Sequence, residues 1–177
     1  ARTTLEAAAA TVGQGEHTIV IPARAMTPAV VNGASSQDID SGANNNTIPA
    51  LAFDQTTAEF AHFQIPMPKS WNEGTVTFVP YWTALAGTPA QTVRWTLQGT
   101  ALGDNQGLDA AQGTAQNSDD ALQATNNLHI GPESAAVTVN FASENDLVLF
   151  SLGRDPANDD LAADALLVGI KLIYTTN

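Results

Sequence analysis

The chain has 177 residues, with six Lys and Arg against eighteen Asp and Glu, for a net charge of −12. That length suits one domain with core enough to fold unaided, and the absence of cysteine excludes disulfides, zinc–thiolate sites, iron–sulfur clusters and thiol chemistry. The negative charge repels phosphate backbones and anionic lipid, so neither nucleic acid nor membrane is an expected partner, and no apolar run approaches the roughly 20 residues of a membrane helix.

The first residues differ from the rest. Thr3 and Glu6 have capping-box spacing, Ala7 to Ala10 favours helix, and Gly13 and Gly15 end it. So short a helix is marginal in water. Residues 1–17 are therefore read as an N-terminal arm whose Leu5 and Val12 form a small apolar surface for a neighbouring subunit. No Leu-rich signal segment is present, and the chain reads as complete and unsecreted.

Residues 18–177 read as one β-sandwich domain. Thr18 to Ile21 is β-branched and stops at Pro22. Ala58 to Ile65 alternates, with Ala61, Phe63 and Ile65 on one face and Phe60, His62 and Gln64 on the other. Gly74 to Trp82 sets Val76, Phe78 and Trp82 against Thr75, Thr77, Val79 and Tyr81. Gln91 to Leu97 turns Val93, Trp95 and Leu97 inward and Thr92, Arg94, Thr96 and Gln98 outward. Ala136 to Phe141, Asp146 to Leu152 and Ala165 to Thr175 complete the strands. Two segments break the rhythm: Val31 to Pro49 and Gly103 to Asn127, long polar connections with one helical turn predicted near Asp119 to Ala124. The fold expected is all-β, a single antiparallel β-sandwich of jelly-roll type. Phe53, Phe63, Phe78, Trp95, Phe141, Phe150 and Leu166 are the expected core.

Catalytic patterns are missing. There is no G-x-S-x-G, P-loop, dinucleotide fingerprint or H-E-x-x-H, and His17, His62 and His129 are scattered away from metal-ligand spacing. No catalytic, cofactor or metal residue is assigned, and the chain is not expected to be an enzyme. The loop acids Asp38 with Asp40, Asp119 with Asp120 and Asp159 with Asp160 read as solvated charge rather than a glycosidase pair. Gln37 to Asn46 and Asp155 to Asp160 offer oxygen ligands of the kind calcium takes, without EF-hand spacing; turn chemistry accounts for them as well. Among the tryptophans, Trp95 is in phase with the core, whereas Trp71, in a turn before a strand, is the one expected at the surface.

Three stretches occur together: Ile21-Pro22-Ala23-Arg24-Ala25-Met26-Thr27-Pro28 with Asn32-Gly33; Met67-Pro68-Lys69-Ser70-Trp71-Asn72-Glu73-Gly74-Thr75-Val76; and Arg154-Asp155 leading to Leu161-Ala162-Ala163-Asp164-Ala165-Leu166. In this order they resemble small virion-associated proteins of tailed phages of marine bacteria, over about Ile19 to Thr175. The resemblance implies a structural virion protein on the capsid exterior: a decoration or cement protein, homotrimeric, that binds the major capsid protein and stabilises the shell. The alternative is a receptor- or glycan-binding tip of a head or tail fibre, using the long loops and Trp71. Leu5, Val12 and Trp71 are the candidate interface residues.

Overall fold

The computed structural model describes residues 15–40 and 42–177. They form two six-stranded sheets facing one another. The strands are β1 (Glu16–Pro22), β2 (Thr27–Pro28), β3 (Ser35–Asp40), β4 (Thr47–Phe53), β5 (Phe60–Pro66) and β6 (Trp71–Thr83). They continue with β7 (Thr92–Leu102), β8 (Gln116–Ala121), β9 (His129–Ile130), β10 (Val139–Asn140), β11 (Leu147–Arg154) and β12 (Ala165–Thr176). Sheet A runs β3-β4-β12-β6-β9, with β1 also on β12; sheet B runs β10-β7-β11-β5-β2, with β8 also on β7. Pairing is antiparallel except for the two-residue parallel contact of β10 with β7. The chain crosses repeatedly between the sheets, as a jelly-roll path requires, so the expected all-β sandwich is the fold observed.

Each sheet has a central strand. On one side β12 pairs with β6; on the other it pairs first with β4, through Ala165–Leu167, and then with β1, through Gly169–Thr175. β11 lies between β7 and β5 in the same way. Their inward residues meet in one core, where Phe53 and Trp95 make an edge contact (ring centroids 5.1 Å apart) and Phe63 stacks on Phe150 at 5.0 Å. Both geometries suit the ring quadrupoles.

The core list needs one correction and the element list several. Phe141 is 63% exposed, because it sits at φ 59° in the turn after β10 and points away from the sandwich. Leu166 is buried, but in a small cluster with Ala50 and Ala52 on the outward side of sheet A. The polar stretch Val31 to Pro49 contains β3 and the start of β4. The stretch Gly103 to Asn127 contains β8, so the expected helical turn near Asp119 is a strand instead. Its inward side chain Asp120 accepts a hydrogen bond from Trp82 Nε1 at 2.8 Å, which pairs a buried indole N–H without any apolar residue. The strand expected over Ala136 to Phe141 shrinks to β10 plus a lone bridge from Val137 to Val76. β1 begins at Glu16, two residues before the expected boundary, with Gly15 bonded to Thr176.

One buried ion pair pins the end of sheet B. The Arg154 guanidinium is held by Asp159 through Nε and Nη2 (2.9 and 3.0 Å) and by the carbonyls of Phe53, Leu161 and Ala163. This ties the connection between β11 and β12 to the end of β4. Asp159 is therefore not the solvated loop acid expected: its side chain is 2% exposed.

Candidate binding groove on sheet B

The outward side chains of sheet B come in cross-strand rows. Gln64, Leu149 and Thr100 form one row, and Thr27, His62, Ser151 and Gln98 the next. Phe60, Gly153, Thr96 and Asn117 form the third. Period-two alternation put Phe60, His62 and Gln64 on the side away from the core, as expected, with Thr96 and Gln98 beside them across β11. These rows hold no Asp, Glu, Lys or Arg and are mostly polar.

Two clefts lie along them. One of about 490 Å³ is lined on the outward side by Thr27, His62, Gln64, Leu149 and Gln112, and reaches round β5 to Ile21, Phe63, Ile65 and Phe150 on the core side. The second, of about 290 Å³, is lined by Ala58, Phe60, Thr96, Gln98, Ala115, Ser151, Arg154 and Asp155. The row His62–Ser151–Gln98 runs from the outward side of the first to the second, so these outward stretches adjoin as a groove. The connection of residues 103–115 forms one wall, contributing Gln112 and Ala115. It is fixed there because Gly113 N–H donates to Gly99 O at 2.9 Å and Asn140 Nδ2 to Ala111 O at 3.0 Å.

Phe60 is the aromatic of the groove. A Cβ at Gly153 would stand 2.7 and 2.8 Å from Cδ1 and Cε1 of the Phe60 ring. The ring therefore lies across β11 where only a glycine leaves room, and stays half-buried with the remainder open to the cleft. Around it, no hydrogen bond within the described residues engages the side chains of His62, Gln64, Gln98 or Ser151. Gln112 Oε1 is buried and has no protein partner. An open ring face among neutral donors and acceptors is an arrangement for recognising a polar, uncharged ligand with an apolar face.

One end of the groove carries charge. Arg94 grips Asp119 through Nε and Nη2 (2.8 and 2.7 Å). The bond from Arg94 holds the Asp119 carboxyl below its ordinary range, and the same bond raises the guanidinium. The pair cancels its own charge, and Arg154 is neutralised by Asp159, which leaves Asp155 as the carboxylate lining the groove.

Of the three candidate interface residues only Trp71 is described, and it lies elsewhere. Trp71 is 5% exposed and packed into the core, so the expected exposed indole is corrected: β6 begins at Trp71 itself, and its pairing with Thr176 turns the ring inward. Leu5 and Val12 lie outside the described residues. Of the histidines, His17 stacks on Tyr174, His129 is buried against Trp82 with Nε2 at 3.0 Å from Ala124 O, and only His62 faces the groove. Among the described residues no cluster of three or more His, Asp or Glu is placed to hold a metal, including the two acidic stretches considered for calcium. The sequence assigned Phe60 to the correct face; it carried no signal that the face is recessed, because the wall comes from a connection distant in the chain.

No protein-family model and no curated protein sequence matches the chain. Solved structures do. The CBM22-1–GH10 modules of endo-1,4-β-D-xylanase 10B from Clostridium thermocellum, complexed with xylohexaose, align with 92% of this chain and 28% of that one, at 11% identity and a TM-score of 0.50. The CBM36-1 domain of a multidomain xylanase from the hindgut metagenome of Trinervitermes trinervoides aligns over 88% of this chain and 96% of its own, at 10% identity and a TM-score of 0.49. A family 35 carbohydrate-binding module from Clostridium thermocellum aligns over 88% and 97%, at 11% identity and a TM-score of 0.47. What these share with the chain is the β-sandwich fold.

Proposed function

We propose that the protein is a non-catalytic recognition module that binds a neutral oligosaccharide along the outward groove of sheet B. The observation that carries this reading is the Phe60 ring laid over Gly153 among unpaired neutral polar side chains. Sugars have alternating apolar and hydroxyl faces. A ring face removes the first from water while amides and hydroxyls bond the second. Net charge of −12 and Asp155 at one end of the groove disfavour anionic glycans. Solved carbohydrate-binding modules share the sandwich, which is consistent with the reading at the level of fold. A glycan-binding tip of a larger assembly is its narrower form. The capsid decoration expected from the resemblance has no feature of the described residues in its favour, and it is not carried forward.

The test is calorimetric titration with a panel of soluble neutral oligosaccharides, xylohexaose included. Binding by at least one is expected, and Phe60→Ala should weaken it about tenfold, equivalent to about 1.4 kcal/mol, with the melting temperature little changed. Absence of heat with every neutral ligand at millimolar concentration would overturn the reading. So would equal affinity in the variant.

A further inference from the structure

Given the reading of the sheet B groove as a glycan site, we infer that the oligosaccharide it takes carries an N-acetylamino group, seated at the end of the groove that Gln112 walls. Gln112 Oε1 is buried and accepts no hydrogen bond among the described residues. A buried acceptor left unpaired costs free energy, which an arriving donor recovers. The oxygen is also held in place. On one side of it Ala111 O accepts from Asn140 Nδ2 at 3.0 Å, and on the other Gly113 N–H donates to Gly99 O at 2.9 Å. The backbone that carries the side chain is thus tied down at both neighbours, and the acceptor waits at a set point on the wall of the 490 Å³ cleft.

The residues beside it complete the recognition of an acetamido group. Leu149 pairs with Gln64 on one flank and with Thr100 on the other, next to the Gly99 that anchors the wall. In this row Leu149 is the apolar member, half-buried, and Gln64 is exposed. Gln64, Leu149 and Gln112 all line the same cleft. Across the groove they offer an amide donor, an aliphatic surface and a carbonyl acceptor. An acetamido group has the three complementary parts: a carbonyl for Gln64 Nε2, a methyl for Leu149 and an N–H for Gln112 Oε1. A sugar hydroxyl at the same place answers only one of them and leaves Leu149 facing water. An ammonium would set a charge against the leucine at a loss of hydration. The net charge of −12 opposes an acidic substituent.

Calorimetric titration of the full chain with matched sugars tests this. Tri-N-acetylchitotriose and cellotriose differ only in bearing acetamido or hydroxyl groups at C2, and N-acetylgalactosamine against galactose covers the other configuration at C4. In at least one pair the acetamido sugar is expected to bind about tenfold more tightly, the factor one recovered buried hydrogen bond supplies. Gln112→Leu should bring that ratio toward one. Leu149→Ala should lower it about fourfold, the factor for one buried methyl. Equal affinities within both pairs, no binding of either acetamido sugar, or a ratio that Gln112→Leu leaves intact overturns the inference. If Gln112→Leu loses its β spectrum by circular dichroism, Leu149→Ala decides, and an unchanged ratio overturns it equally. The glycan reading of the groove survives each of these results if any hydroxyl sugar still binds and Phe60→Ala weakens it. Both fall if no neutral sugar binds at all.

Discussion

A guanidinium removed from water must find a partner for every N–H, and Arg154 does. Its five donors meet two carboxylate oxygens of Asp159 and the carbonyls of Phe53, Leu161 and Ala163. The fork shape matters, since lysine could replace neither the paired bonds to Asp159 nor the reach to three carbonyls. Removing one partner leaves a buried charge uncompensated. Asp159→Asn is therefore expected to cost about 3–5 kcal/mol, which for a domain of this size lowers the melting temperature by roughly 10 °C. Thermal denaturation followed by circular dichroism measures it, and a loss below about 3 °C would mean that the cluster is not stabilising. Nothing in the sequence separated Asp159 from its neighbour Asp160, which is exposed and bonded to Thr92. Adjacent aspartates in a loop look alike until the chain closes around one of them. The same holds for Trp71, whose turn-like flanks suggested exposure while the last residues of the chain cover it.

At the scale of elements, legibility followed apolar burial. β5 and the first half of β7 bury alternate residues, so their periodicity announced them, whereas β12 and the end of β6 are buried on both faces and read as apolar runs. β3 and β8 showed neither pattern, for a physical reason. β3 (Ser35–Asp40) is an edge strand in which Ser36, Asp38 and Asp40 stay exposed, and β8 buries Ser118 and half-buries Asp120 rather than apolar side chains. Their backbone hydrogen bonds, not their side chains, recruit them to the sheets. This difference has a measurable counterpart. β12 is paired on both flanks for nearly its whole length, whereas β3 is paired only with β4. Native-state hydrogen exchange should find the slowest amides in β12 and β11, near the global unfolding free energy, and β3 exchanging by local opening. Equal protection of peptides 35–40 and 165–176 would contradict that hierarchy. The groove was the least legible part. Phe60 and Gln98 could be assigned outward from alternation, but Gly153 lay beyond the expected end of its strand, and the wall at 112–115 belongs to a connection that reads only as polar loop.

For the whole molecule, the net charge of −12 selects among ligands. A field of one sign repels anions at long range and leaves uncharged chains unaffected. The Phe60 ring and the amides and hydroxyls beside it act only at contact distance, where salt screens nothing. Affinity for a neutral oligosaccharide on sheet B should therefore change by less than about twofold between about 0.02 M and 0.5 M salt, where the Debye length falls from about 20 Å to about 4 Å. An anionic oligosaccharide of the same length should gain from salt, because the repulsion that opposes it is screened. Calorimetric titration at both salt concentrations measures the two cases. A neutral ligand whose dissociation constant moves about tenfold with salt would show that charge, and not the ring with its neutral neighbours, carries recognition.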